Sequence, residues 1–276
     1  MMKRRSFLGG FTAASLGMLF KDSFSASARA QDSGQSPATS HGAGTGQFPP
    51  NSTIVLVHAA WADGSCWRSV IQPLERSGLH VVCAPIPLTS LTNDAVALSQ
   101  VLERTSGPVV LVGHAYSGAV IAAVPNDRVK SLVYITALAP DEGETVAKVF
   151  YLNPNSPQAP KMVPDSHGFV WLPDDAFPQA ITHKASPDES KIAASLQRPI
   201  AVPCIQELAP TPTWKTKPSW FLVAEEDRMI NPKTQRFMAA RMGAKIHAYP
   251  VDHSPMISEP RVVIDVILEA ARQTLS

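Results

Sequence analysis

From Thr53 onward the chain alternates between two hydrophobic patterns. Short continuous runs rich in β-branched residues recur as "TIVLV" (53–57), "HVVCA" (80–84), "PVVLV" (108–112), "SLVYIT" (131–136), "SWFLVA" (219–224) and "KIHAYP" (245–250). Runs of this length and composition predict strands buried on both faces of a sheet. Between them lie "WRSVIQPLERSG", "LTNDAVALSQVLERTS", "KTQRFMAARMG" and "RVVIDVILEAARQTLS", whose apolar residues recur at helical spacing. The glycines after "LERS" and "AARM" predict the stops of two helices. Strand and helix in alternation predict an α/β fold built on a doubly wound, mostly parallel sheet.

Two segments break this rhythm. Residues 141–215 carry no strong strand pattern and many of the 25 prolines, and they read as loops and short helices. An insertion of that size between two strands predicts a cap over the functional site. Residues 31–52 are rich in Ser, Gly, Gln and Pro with almost no large apolar residues, which predicts a disordered linker.

Ahead of the linker, residues 1–30 have the composition of an export signal. Lys3, Arg4 and Arg5 precede a mildly apolar stretch, and an A-x-A cleavage pattern falls at Ala28–Ala30. "RRSFL" is close to a twin-arginine signal, an address read by the twin-arginine export machinery. Residues 53–276 are then expected to fold before export and to work in the bacterial periplasm or beyond. The apolar stretch is too short and too Gly-interrupted for a membrane span, so no stable insertion is expected after cleavage.

Composition narrows the partners. Net charge is +1 with no long charged run in the body of the chain, which argues against charge-driven binding of nucleic acid. A small molecule, substrate or ligand, is the expected partner. Cys66, Cys83 and Cys204 show no C-x-x-C spacing, and their odd number leaves at least one unpaired within a chain. Cys83, in a strand-like run, reads as a small core residue; an exported protein permits one disulfide, whose pairing the sequence leaves open. No H-E-x-x-H or similar spacing occurs among the histidines, so neither metal nor cofactor is expected.

In doubly wound sheets ligands bind beyond the carboxyl ends of the strands. The segments there are "HAAWADGSCW", "GHAYSG", "EEDRMINP" and "VDHSPMIS". Together they resemble the α/β-hydrolase superfamily, nearest the methyl-ester esterase and hydroxynitrile lyase subgroup, over about residues 53–275. "GHAYSG" is similar to the G-x-S-x-G nucleophile elbow, "VLVHAAWADGSCW" to the oxyanion loop, and the acid and histidine follow in the same order. The resemblance implies Asp227 as the triad acid, His253 as the base, and the amides of Ala60 and Tyr116 as oxyanion donors. Glu225 and Glu226 adjoin Asp227, and spacing alone does not exclude them. Trp61, Tyr116, Phe169 and Trp171 are candidates to line the pocket. His167 and His183 are candidates to line the cap, while His58, His114 and His247 read as structural.

The elbow departs from the family pattern at its tip. The nucleophile position holds Ala115, the second glycine is Ser117, and the glycine of the oxyanion loop is Ala59. Ser117 lies two residues past the tip, where the chain enters a helix and side chains aim elsewhere. It reads first as a small residue at a tight contact that caps the first helical turn, and only secondarily as a displaced nucleophile. Losing the serine of a working triad costs about 10⁶ in turnover in the subtilisin case. General acid–base catalysis by itself contributes about 10²–10⁴. The expected function is therefore a hydrolase-type enzyme acting on a small organic molecule, with His253 as base and no acyl-enzyme. Two alternatives stand beside it: a lyase in which His253 takes a substrate proton, and a non-catalytic ligand-binding protein.

Overall fold

The computed structural model describes residues 48–275; the expected export signal and most of the linker lie outside the described residues. The linker's last residues are ordered. Phe48 is buried against the apolar layer beneath the sheet, and the Ser52 hydroxyl donates to the Pro49 carbonyl at 2.7 Å. A lone aromatic in a polar stretch has apolar surface to bury, and here it docks.

Six strands form one parallel sheet: β1 (Thr53–Val57), β2 (His80–Ala84), β3 (Val109–His114), β4 (Val129–Ile135), β7 (Ser219–Ala224) and β8 (Lys245–Tyr249), in the order β2-β1-β3-β4-β7-β8. Pleating sends alternate residues to opposite faces. Val55, Val57, Leu111 and Tyr134 enter one apolar cluster, and Ile54, Leu56, Val112 and Val133 enter the other. This two-sided burial is why the central strands read as continuous apolar runs. β2 and β8 are edge strands and correct that expectation: Cys83 is only partly buried, and every position of β8 is exposed or half-buried. All three cysteines are free.

The helices follow the sequence pattern. α1 (Arg68–Arg76) buries Val70 and Leu74, and α9 (Pro260–Thr274) covers the same face of the sheet. α2 (Leu91–Glu103), α3 (Ser117–Ala122) and α7 (Pro232–Arg241) lie on the other side. Gly78 and Gly243 end α1 and α7 with φ of 86° and 62°, the left-handed conformation that glycine adopts without a Cβ penalty. In α2 the Ser90 side chain accepts from the Asn93 amide at 3.0 Å, and the buried stripe Leu91-Asp94-Leu98-Leu102 has a carboxylic acid where an apolar residue is expected. α8 (Pro255–Ser258) is a single turn leading into α9.

Between β4 and β7 the chain leaves the sheet and forms short elements: α4 (Val146–Phe150), β5 (Phe169–Val170), a π-helical turn (Phe177–Ile181), α5 (Pro187–Ser195), β6 (Ile200–Ala201) and α6 (Val202–Gln206). β5 and β6 pair antiparallel over two residues, Val170 opposite Ile200, as a long-looped hairpin whose connection holds the π-helical turn and α5. α5 starts on a capping box between Ser186 and Glu189. Among the described residues, no helix is long and apolar enough to cross a membrane.

The order of the strands reverses direction beside β1, so the carboxyl ends of β1 and β3 flank the switch point where ligands bind in such sheets. α3 starts immediately there and presses on the connection after β4. A Cβ on Gly118 would lie 2.4 Å from the Leu138 carbonyl oxygen and 2.9 Å from the Ala137 Cβ. Gly118→Ala is therefore expected to destabilise the fold by about 3 kcal/mol, the upper range for overpacking. A urea midpoint equal to that of the unsubstituted protein would show that α3 has room to move.

Candidate active site

β3 delivers Gly113 and His114 to the carboxyl edge of the sheet, and the backbone then turns sharply at Ala115, with φ of 48°. A residue with a side chain in this region carries strain. Surrounding bonds hold the turn: the Ala115 amide donates to Ile135 at 3.2 Å, and its carbonyl accepts from Leu138 at 2.9 Å and Gly118 at 3.1 Å. Gly113 is also forced, since a Cβ there would lie 2.7 Å from the Ser117 carbonyl oxygen. Ala115 at the tip lines a cavity under the cap.

Ser117 does not face it. Its side chain is fully buried, and its hydroxyl donates to the backbone carbonyl of His58. It does not cap the helix either: Tyr116 holds the N-cap position, and no side-chain capping bond is made. The hydroxyl ties the start of α3 to the end of β1.

Asp227 and His253 come together from the loops after β7 and β8. Their Nδ1–Oδ2 distance is 2.9 Å, and both side chains are buried. Asp227 Oδ1 accepts from the amides of Met229 (2.7 Å) and Ile230 (3.0 Å), and Oδ2 also accepts from Gln235 Nε2 (2.7 Å). With Asp227 accepting at Nδ1, that nitrogen carries the proton and Nε2 is the basic nitrogen, in the arrangement that a triad carboxylate imposes. The backbone carbonyl of His253 accepts from His114 Nε2 (2.8 Å) and from the Thr136 hydroxyl (2.9 Å). His114 is a support beneath His253, and burial holds its pKa well below the ordinary value, so it presents a neutral ring to its neighbour. The two adjacent glutamates are elsewhere: Glu225 pairs with Arg236, and Glu226 with Lys184 at 2.8 Å.

Beside this pair lies a cavity of about 240 Å³ under the cap. Ala60, Trp61, Ala115, Tyr116 and His253 form its floor, and Leu138, Phe150, Met162, Val170, Ile205 and Met229 are among its apolar walls. Among the described residues, no lysine, arginine, aspartate or glutamate lines it. A narrower cavity of about 50 Å³ shares Ala60, Trp61 and His253 and is rimmed by Asp63, Arg68 and Glu189. Among the described residues, neither the Ala60 nor the Tyr116 amide donates to a protein acceptor, so both remain free to bind a ligand oxygen. No group of three metal-ligating side chains occurs among the described residues.

The expected cap aromatics lie differently. Trp171 is 51% exposed and Phe169 packs on the core, and neither lines a cavity. Val170, between them, faces inward, because successive residues of an extended segment point in opposite directions. His167 is exposed, and His183, partly buried, lines neither cavity. Sequence reasoning missed Gln235, which orients Asp227, and Asp94. The carboxylate of Asp94 is fully buried and accepts from Leu88 N (2.7 Å), the Tyr116 hydroxyl (2.7 Å) and Cys204 Sγ (3.6 Å). Burial raises its pKa, with those hydrogen bonds opposing the shift. The signal was present in the α2 stripe, where an acid sits at a core position.

The chain matches the alpha/beta hydrolase family over residues 54–266. It belongs to that family. Among curated relatives, the alpha/beta hydrolase nvfD of Aspergillus novofumigatus is 24% identical over 80% of this chain and 97% of its own length. Methylesterase 8 of Arabidopsis thaliana is also 24% identical, over 79% of this chain and 89% of its own. Among solved structures, polyneuridine aldehyde esterase superposes with a TM-score of 0.70 at 17% identity, covering 80% of this chain and 99% of that one. A pyrethroid hydrolase from Sphingobium faniae gives 0.70 at 20%, covering 80% and 97%. At these identities the superpositions establish the fold of this family member.

His58, at the end of β1, gives a pH test of the buried floor. Burial, with Arg198 nearby, lowers its pKa from 6.5 to about 4. Its Nδ1 lies 2.9 Å from the Ala59 carbonyl, and its Nε2 faces the Ile86 amide and Arg198. The folded state binds this proton less readily than the unfolded chain, so the associated stability is present above pH 6.5 and is lost as pH falls towards 4. The loss from this residue is about 3 kcal/mol. Urea midpoints across that range should fall less steeply for His58→Gln; parallel curves would refute the assignment.

Proposed function

We propose that this family member is an enzyme that hydrolyses an ester or related bond in a small, uncharged, largely apolar molecule, with His253 as general base and no serine nucleophile. The observation that carries this is the His253–Asp227 pair facing an uncharged cavity whose elbow position is Ala115. The esterase names borne by relatives support the bond type. His253 Nε2 takes a proton from a water molecule as the water oxygen attacks the carbonyl carbon. The carbonyl π bond becomes an oxyanion, which the amides of Ala60 and Tyr116 receive. When the oxyanion collapses, the bond to the leaving oxygen breaks, and His253 returns the proton to it, releasing alcohol and acid. Asp227 holds the imidazole tautomer and stabilises its protonated form. We also propose, from the "RRSFL" and A-x-A segments, that the protein reaches the periplasm through the twin-arginine route; Arg4→Lys with Arg5→Lys should retain it in the cytoplasm on cell fractionation.

The activity test compares short acyl esters, such as p-nitrophenyl acetate, on the protein and four variants. His253→Ala and Asp227→Asn should lower turnover by about 100-fold or more. Ala115→Ser should raise it by restoring a nucleophile at the tip, and Ser117→Ala should change it less than about twofold. Labelling of Ser117 by a fluorophosphonate, together with loss of activity in Ser117→Ala, would overturn this reading. So would turnover that is unaffected by His253→Ala.

A further inference from the structure

Both proposed oxyanion donors are tied to the same piece of the cap. Trp61, directly after Ala60, has a φ of 56°, a left-handed backbone that a bulky side chain adopts only under constraint. Two hydrogen bonds supply the constraint, and both end on the β5–β6 hairpin. The Trp61 amide donates to the Arg198 carbonyl at 3.0 Å, just before β6, and the indole Nε1 donates to the Val170 carbonyl at 2.9 Å, in β5. One residue is thus gripped by β5 and by the segment that leads into β6. Arg198 is itself anchored, its guanidinium donating to the Ile86 carbonyl at 3.0 Å.

The second donor is reached by a separate path. The Ala201 amide of β6 donates to the Leu88 carbonyl at 3.0 Å, and the Leu88 amide donates to Asp94 Oδ1 at 2.7 Å. Asp94 Oδ2 receives the Tyr116 hydroxyl at 2.7 Å, and the thiol of Cys204, in α6 immediately after β6, lies 3.6 Å away. One buried carboxylate therefore joins the cap, the loop after β2 and the elbow. An apolar residue at this core position would pack as well and leave the Tyr116 hydroxyl without its acceptor.

We propose that the β5–β6 hairpin assembles the oxyanion site, with Trp61 and Asp94 as the positioning residues through which the seated cap fixes the amides of Ala60 and Tyr116. The assignment of those amides to an oxyanion rests on the function proposed above. With the hairpin seated, Trp61 is held in its left-handed conformation and Ala60 faces the cavity beside His253. When the hairpin lifts, both bonds to Trp61 are lost together, its backbone relaxes towards negative φ, and the adjoining amide turns away. The reacting polarity is then created only around an enclosed substrate, in the manner of lids that complete a site as they close.

The test is residue-resolved hydrogen exchange on the full protein and on Trp61→Phe, which keeps an aromatic wall and removes the indole donor. The residue-61 and Ala201 amides should exchange about fivefold faster and by the same factor, as expected for losing one ordinary hydrogen bond from a shared opening. Amides of β7 and α7 should not change. Asp94→Asn should accelerate the Leu88 and Ala201 amides together. Acceleration confined to residue 61, or no acceleration at all, overturns the proposal. In the Ala115→Ser background, Trp61→Phe should lower kcat on p-nitrophenyl acetate about fivefold with KM within about twofold. A raised KM with unchanged kcat would make Trp61 only a wall and also overturn it. If neither the unsubstituted protein nor Ala115→Ser hydrolyses an ester, the proposed function fails, and the exchange result alone decides the role of the hairpin.

Discussion

One buried hydrogen bond, from Nδ1 of His253 to Oδ2 of Asp227 at 2.9 Å, sets the demand that the rest of the molecule meets. It joins two loops, and its geometry follows from the register of β7 and β8, which pair in parallel from Trp220 opposite Lys245 to Ala224 opposite Tyr249. Neighbouring parallel strands release their following loops at the same edge of the sheet, so an acid after one can meet a histidine after the other. Burial makes the bond consequential, since an unpaired carboxylate there would be costly. Asp227 avoids that cost with four donors, two from the turn that follows it, one from Gln235 and one from His253. His253 is fixed from behind by His114 and Thr136 through its own carbonyl. The imidazole is therefore held in position and in tautomer before any ligand arrives.

The turn at Ala115 is strained, and its tip carries no hydroxyl. Ala115 still sits at φ of 48°, Gly113 still allows the chain to fold back on Ser117, and Gly118 still admits the Leu138 carbonyl. Such strain persists only where surrounding bonds over-determine it. Here the turn also places the Tyr116 amide at the cavity and sends its phenol to Asp94, so the geometry has uses beyond aiming residue 115. The Ser117 hydroxyl is committed to the His58 backbone carbonyl.

The cavity beneath the cap has no charged side chain among its described lining residues. An uncharged lining strengthens every hydrogen bond made to a developing oxyanion, because little competing dielectric surrounds it. It also disfavours a carboxylate or ammonium ligand, which would leave water with nothing to pair with. The β5–β6 hairpin encloses this space and at the same time holds Trp61, so enclosure and polarity arise from the same contacts.

Periodicity determined the strands of the central sheet and the long helices around it, because burial on two faces forces continuous apolar runs and burial on one face forces helical spacing. Short motifs at strand ends pointed to Ala115, to His253 and to the acidic run 225–227, since local turns set these positions. The distinction between Asp227 and the glutamates beside it was not local; it depended on which side chain turned inward to meet a loop 26 residues away. The same holds for Phe169, Val170 and Trp171, where the two-residue pairing of β5 with β6 decides which of three apolar residues faces the cavity. The edge positions of β2 and β8 depended on strand order, which pattern does not specify. Asp94 shows the division most plainly: the sequence marks an acid at a core position, but only the fold brings Leu88, Tyr116 and Cys204 to it, because its partners come from three segments that the chain joins solely through packing.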